Sequence, residues 1–139
     1  MTPIKNQLSP KSPELTRAEE EIMQILWKKG KGFVNDLLEQ FAEPKPAYNT
    51  VSTIVRILEK KGFIGHNAFG KTHEYYPLIS KEEYTRQFMG NVVQGYFDNS
   101  LRKMVSFFTG DDKVSMKEME EIRKIIDKQI EQKKASGND

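Results

Sequence analysis

The chain has 139 residues, a formal net charge of +2 and no cysteine. This length allows one compact domain with an appendage, or two small domains. The lack of cysteine excludes disulfides, thiolate metal sites and a cysteine nucleophile, and it is typical of proteins of the reducing cytoplasm. No run approaches the roughly 18 apolar residues of a membrane span, so we expect a cytoplasmic protein without membrane insertion.

The positive charge is unevenly distributed along the chain. Residues 14–43 contain four Lys or Arg against seven Asp or Glu, whereas residues 45–73 contain five against one. A polyanion responds to such a local excess more than to the net charge of the chain. The middle of the chain is therefore the best candidate for a surface that binds an anionic partner.

Three helices are predicted in the first half of the chain, at about residues 17–29, 34–41 and 47–61. Thr16 and Glu19 match a capping box at the start of the first helix, and Gly30 follows its end. Pro46 suits the first turn of the third helix, and Gly62 ends it.

A hairpin follows the third helix. Residues 64–68 and 72–77 are predicted to pair as strands, with Gly70 supplying the positive φ that such a turn often needs. Three helices and a hairpin are the element order of a winged helix. We therefore predict a flexible tail at 1–13 and a winged helix-turn-helix DNA-binding domain at 14–79.

Residues 80–134 are predicted to be a helical region, with a frayed tail at 135–139. The last helix carries an apolar stripe of Met119, Ile122, Ile125, Ile126 and Ile130. The stripe could pack on the first domain or pair with the same helix of a second chain, and the balanced charges around it favour pairing. The predicted fold class is mainly α, with a C-terminal helical dimerisation region.

Enzymatic or metal chemistry has little support in the residues. His66 and His73 fall in the predicted hairpin, where they could face opposite sides, and only Glu74 is near as a further ligand. No Walker loop, nucleophile elbow or dinucleotide fingerprint occurs. We therefore expect neither an enzyme nor a cofactor or metal ion.

The third predicted helix has an unusual outer face. Opposite its apolar residues lie Asn49, Ser52, Thr53, Arg56 and Lys60. A solvated outer face is the usual explanation for an amphipathic helix. This face, however, lacks acidic residues near its start and carries residue types that bond to base edges and phosphates. A short helix and a tight turn precede it, as a helix-turn-helix requires. We predict that it recognises the major groove of double-stranded DNA.

The hairpin and the last helix complete the prediction. Lys71 at the hairpin tip could reach a phosphate or the minor groove, although alone it would suggest an ordinary solvent-exposed turn.

One winged helix makes too few contacts to specify an operator, whereas a dimer reads two half-sites. The alternatives are a winged helix that binds proteins rather than DNA, and a DNA-binding protein that senses a small ligand directly.

Five segments carry a resemblance to a known family: LTRAEEEIMQILWKKG, VNDLLEQF, YNTVSTIVRILEKKGFI, GKTHEYYPLIS and EMEEIRKIID. Their residues and order resemble the BlaI/MecI/CopY family of penicillinase repressors over roughly residues 14–132. The resemblance implies a homodimer that binds palindromic operators and represses antibiotic-resistance genes. It also implies that Asn49, Thr50, Ser52 and Thr53 lie at the operator-reading end of the third helix, with Arg56 and Lys60 nearer the DNA backbone.

The resemblance further implies how such a repressor is released from DNA. In the penicillinase members, a membrane-bound sensor metalloprotease system triggers cleavage in the C-terminal region, which weakens the dimer. The family pattern places that bond at Phe107–Phe108, although the familiar members have Asn before the Phe. The copper-responsive branch uses a C-terminal cysteine motif, which this sequence does not contain.

Overall fold

The computed structural model describes residues 15–137. Its elements in chain order are α1 (Arg17–Lys29), α2 (Val34–Leu38), α3 (Tyr48–Lys61), β1 (Ile64–Phe69), β2 (Thr72–Pro77), α4 (Lys81–Tyr96), α5 (Leu101–Thr109) and α6 (Met116–Ser136). The chain divides into two compact units, 1–89 and 90–139. The mainly helical class and the winged-helix element order are confirmed, and the tail predicted at 1–13 lies outside the described residues.

α1 begins at the predicted capping box. Thr16 Oγ1 accepts a hydrogen bond of 3.1 Å from the backbone N–H of Glu19. Glu19 Oε1 in turn accepts one of 2.9 Å from the backbone N–H of Thr16. The pair satisfies two backbone donors at the start of the helix. The helix ends before Gly30, whose φ of +91° suits a residue without a Cβ.

α2 ends at Leu38, so the predicted end at residue 41 was wrong. After Leu38 the chain tightens, because the backbone N–H of Phe41 bonds to the Leu38 carbonyl at 3.1 Å. Lys45 Nζ donates to the carbonyl oxygens of Leu38 and Glu39, at 3.3 Å each, and to that of Phe41 at 2.7 Å. A side chain from the following loop thus satisfies carbonyls that the end of the helix leaves free.

β1 and β2 form the predicted antiparallel hairpin, in which Ile64 lies opposite Pro77. Gly70 in the turn has a φ of +65°. Gly32, in the loop before α2, forms an isolated bridge to Tyr75 through two backbone hydrogen bonds of 2.9 and 2.8 Å. This bridge attaches β2 to the segment that leads into α2.

The core of the first unit holds α3 in place. Its buried apolar residues are Ile22, Met23, Leu26, Val34, Leu37, Val51, Val55, Leu58, Phe63, Ile64 and Tyr75. Trp27 Nε1 donates a hydrogen bond of 2.9 Å to the carbonyl of Ile79, which fixes the chain after β2 to α1. A buried carboxylate, Glu19, pairs with Lys61 at 2.9 Å and joins the first turn of α1 to the last turn of α3.

The second unit has a different character, because no residue between 90 and 137 is buried. The ring of Phe97 contacts those of Phe107 and Phe108, with centroids 5.6 and 6.4 Å apart. α6 begins where Ser115 Oγ accepts a hydrogen bond from the Glu118 N–H. It continues through Ser136, into the segment expected to fray. In residues 15–137, no helix is long and apolar enough to cross a membrane.

Candidate nucleic-acid interface

α3 presents its predicted polar face to solvent. Val51, Val55 and Leu58 are fully buried on one side of the helix. On the other side, the exposed residues are Asn49, Thr50, Thr53, Arg56 and Lys60, and Ser52 is half-buried. The first turn contains no acidic side chain, so nothing there offsets the partial positive charge of the helix start. The face therefore offers amide, hydroxyl and cationic groups to a partner.

Lys71 lies exposed at the tip of the hairpin, which we call the wing. The neighbouring Phe69 is 55% exposed, and its ring meets that of Phe33 edge to face at a centroid distance of 5.8 Å. Phe33 immediately precedes α2. The contact therefore holds the tip of the wing against the start of α2.

The two histidines lie on the same face of the wing, not on opposite sides. The register places His73 opposite Ala68, two residues from His66. The two rings stack with centroids 3.9 Å apart and planes within 7°. His66 Nδ1 also lies 2.5 Å from Glu59 Oε2, which ties the wing to α3. In residues 15–137, no group of three or more His, Asp or Glu is placed to hold a metal ion.

A cleft of about 580 Å³ separates α3 from the wing, and we call it the wing cleft. Three residues predicted to contact DNA line it: Ser52, Arg56 and Lys71. Other lining residues were missed in the sequence, among them Asn35 and Tyr48. Tyr48 lies about one turn before Ser52 and two before Arg56, so helical spacing was the signal that could have identified it.

The lining of the wing cleft includes the buried phenol of Tyr75 and the carboxylates of Glu59 and Asp36. Burial raises the pKa of Tyr75 above its ordinary value of 10, and the Glu59 carboxylate raises it further, while Arg56 acts in the opposite direction. The phenol is therefore uncharged at neutral pH. The second carboxylate of the cleft, Asp36, accepts a hydrogen bond of 2.9 Å from the Phe33 N–H.

The predicted dimer residues lie on α6. The exposed ones are Met119, Ile125, Ile126 and Ile130, and Ile122 is half-buried. Within the second unit, α5 and α6 line a largely apolar groove of about 400 Å³ that includes Val105, Met119, Ile122 and Ile126. This region offers apolar surface that the described residues do not cover.

The predicted cleavage pair lies in the second half of α5. Phe107 is 66% exposed and Phe108 53%. Their side chains are accessible, but the peptide bond between them belongs to helical backbone. A protease that binds extended chain would meet this bond only after local unwinding.

The fold and this surface are those of the class of winged-helix DNA-binding proteins. The family model described as "Penicillinase repressor" matches residues 15–128. The chain belongs to the penicillinase repressor family.

Individual relatives are similar over nearly their whole length. The chain is 29% identical over 119 residues to "Methicillin resistance regulatory protein MecI" of Staphylococcus aureus (strain N315), covering 85% of this chain and 97% of the relative. It is 26% identical over 125 residues to "Penicillinase repressor" of Bacillus licheniformis, covering 89% and 98%. A solved structure, "Solution structure of the DNA binding domain of the repressor BlaI", is 27% identical with a TM-score of 0.46, covering 52% of this chain and 89% of that one.

Proposed function

We propose that the chain is a cytoplasmic homodimer that represses transcription by binding palindromic double-stranded operator DNA. The observation that carries the proposal is the exposed polar face of α3 beside the wing. Asn49, Thr50, Ser52 and Thr53 select the base sequence, while Arg56, Lys60 and Lys71 contact phosphates. Release of counterions from the DNA by these cations supplies much of the affinity.

Dimerisation is assigned to the second unit. Large apolar side chains are exposed there, including Met119, Ile125, Ile126 and Ile130 on α6. Contiguous exposed apolar surface is rare on monomeric proteins and marks interaction sites. A dimer would cover this stripe, and linking two winged helices would raise avidity for two half-sites by roughly 10²–10⁴.

Release from the operator would follow cleavage of the Phe107–Phe108 bond. Such a cut separates the first unit from α6 and leaves all of α3 and the wing intact. The family resemblance supports a membrane sensor metalloprotease as the partner that triggers it. The names of the relatives, a methicillin resistance regulator and a penicillinase repressor, support genes of the β-lactam-resistance type as targets.

Mobility shifts with DNA from upstream of the chain's own gene test the proposal. We expect a saturable shift that specific duplex competes and scrambled duplex does not. The double variant Arg56→Ala/Lys71→Ala should bind more weakly. It should also have a flatter dependence of log affinity on log salt, by about 0.9 for each phosphate that the variant no longer neutralises.

The matched control is Lys28→Ala/Lys29→Ala, which removes the same charge from the exposed last turn of α1. Its salt dependence should stay close to that of the wild type. If the wild type shifts no duplex, the result contradicts the proposal and favours the alternative of a winged helix that binds proteins. An unchanged salt slope in Arg56→Ala/Lys71→Ala would argue against phosphate contacts at these two side chains.

A further inference from the structure

We infer that the wing cleft holds a backbone phosphodiester of the operator, with Tyr48 and Asn35 as contacts in addition to the cations. The inference rests on the proposed DNA-binding function and adds a specific site to it. The inference is based on one arrangement. Two cations, Arg56 and Lys71, line a cleft that also presents neutral hydrogen-bond donors.

The concavity is held by three separate links. The Gly32–Tyr75 bridge attaches β2 to the segment before α2. The Phe33–Phe69 ring contact holds the wing tip, and the Glu59–His66 interaction ties the wing to α3. A cleft whose walls are already fixed loses little conformational entropy when it binds a ligand.

The lining suits a phosphodiester. Guanidinium and ammonium groups, with neutral hydroxyl and amide donors, are the groups that contact DNA phosphates. Arg56 supplies the guanidinium, Lys71 the ammonium, and Tyr48 a hydroxyl, whereas the Thr72 hydroxyl already donates to the Phe69 carbonyl at 2.8 Å. Tyr48 is 49% exposed at the first position of α3, so the residue is open to a partner from solvent.

The two carboxylates of the cleft are held by partners within the protein. Asp36 already accepts a hydrogen bond from the Phe33 N–H, and Glu59 is engaged with His66. Both are half-buried, whereas Arg56 and Lys71 are exposed. An anion would therefore bind at the exposed rim, between α3 and the wing tip.

The position of the cleft connects it to the reading face of α3. Tyr48 and Ser52 lie on the side of α3 that faces the wing. Asn49 follows Tyr48 and Thr53 follows Ser52, so each lies about 100° further around the helix. A DNA strand whose phosphate sits in the cleft would thus bring its neighbouring bases toward Asn49 and Thr53.

The test uses the full chain and operator duplexes that carry one neutral methylphosphonate linkage at a time. Wild-type chain should lose roughly 10- to 100-fold in affinity at one linkage per half-site, the size expected for a hydrogen bond to a charged group. Tyr48→Phe and Asn35→Ala should each weaken binding to the unmodified duplex. They should cause no further loss on the duplex that is neutral at that one linkage.

The matched control is Tyr76→Phe, which removes a hydroxyl from the next residue after Tyr75 on β2, outside the cleft lining. It should bind every duplex as the wild type does. Normal binding by Tyr48→Phe and Asn35→Ala, or an equal loss on all duplexes, would overturn the inference while leaving the proposed function intact. Failure of wild-type chain to bind any duplex would instead overturn the proposed function.

A second arm separates DNA from a free anion as the occupant. Inorganic phosphate is titrated into the wild-type chain without DNA, and backbone amide shifts around Asn35 and Tyr48 are followed by NMR. Weak or absent binding at millimolar phosphate supports the phosphodiester. Saturation below about 1 mM that Tyr48→Phe abolishes would assign the cleft to a free anion and overturn the inference.

Discussion

Glu19 joins two helices of the first unit through a single carboxylate. Its oxygen completes the capping box at the start of α1, and the same group pairs with Lys61 at the end of α3. The Glu19 side chain is only 6% exposed, and that of Lys61 is 30% exposed. Removing one partner would leave the other poorly solvated, so the pair has more effect on stability than an ordinary surface ion pair.

Glu19→Gln tests the ion pair separately from the cap, because Gln also serves at this position of a capping box. We expect the free energy of unfolding to fall by about 1–3 kcal/mol at neutral pH. Urea unfolding followed by the fluorescence of Trp27 measures it. Glu20→Gln, an exposed neighbour in the same turn, is the control and should lower stability by only a few tenths of a kcal/mol.

The effect of Glu19→Gln should depend on pH. Burial raises the pKa of Glu19, but hydrogen bonds from Lys61 and Thr16 outweigh it and bring the pKa below its ordinary value of 4.5. Because the folded-state pKa is the lower one, the contribution is fully present above the unfolded-state pKa. It is lost as pH falls through the folded-state pKa. A difference between wild type and variant that does not shrink as the pH falls below 4.5 would contradict this account.

At the scale of elements, the sequence predicted boundaries that depend on neighbouring residues. The Thr16–Glu19 box correctly placed the start of α1, and Gly70 correctly placed the turn of the wing. The end of α2 was predicted wrongly. It depends on Lys45, seven residues after Leu38, whose side chain bonds to carbonyl oxygens at the end of the helix. The histidine stack was missed for a similar reason, since it depends on the register of two strands.

α6 gives a direct test of dimerisation. Ile122→Asp/Ile126→Asp places two charges in the apolar stripe, where a dimer interface would have to desolvate them. We expect the variant to sediment as a monomer at concentrations where the wild type is a dimer. Lys124→Asp, on an exposed position of the same helix, is the control. Persistent dimers with normal helical content by circular dichroism would place the interface elsewhere.

α5 gives a test of how the Phe107–Phe108 bond becomes available to a protease. Ala and Gly at one exposed helix position differ by about 1 kcal/mol in helix stability, which corresponds to roughly a fivefold change in unwound population. Ser106→Gly should therefore be cut by chymotrypsin at residues 107–108 about fivefold faster than Ser106→Ala. Mass spectrometry identifies the cut.

Peptides spanning residues 99–112 control for preferences of the protease itself. The wild-type peptide and the peptides carrying Ser106→Ala or Ser106→Gly should all be cut at similar rates, because they have no stable helix to unwind. Equal cleavage of Ser106→Gly and Ser106→Ala in the full chain would mean that unwinding of α5 does not limit access to the bond.

The whole molecule combines one unit that buries its apolar residues with one that does not. The first unit was largely predictable, because Val51, Val55 and Leu58 pack on elements of the same chain. The stripe on α6 was equally visible in the sequence, but periodicity does not say what covers it. The wing cleft was not predicted, since Asn35, Tyr48 and Lys71 come from three separate elements.

This division predicts what a cut in α5 does to DNA binding. If α6 supplies the dimer contact and α3 the reading face, cutting at residues 107–108 should leave each winged helix folded but unlinked. Affinity for a duplex with two half-sites should then fall by roughly 10²–10⁴, while affinity for a single half-site should hardly change. Replacing residues 104–109 with the recognition sequence of a site-specific protease allows the cut to be made on demand.

The uncut form of the same variant is the control, because it carries the replacement but keeps α6 attached. The unfolding midpoint reported by Trp27 should be the same before and after the cut, since that side chain lies in the first unit. Full affinity of the cut chain for two half-sites would mean that the first unit dimerises without α6. An equal loss on one and two half-sites would mean that the cut damages the winged helix itself, so the ratio of the two losses distinguishes loss of linkage from loss of fold.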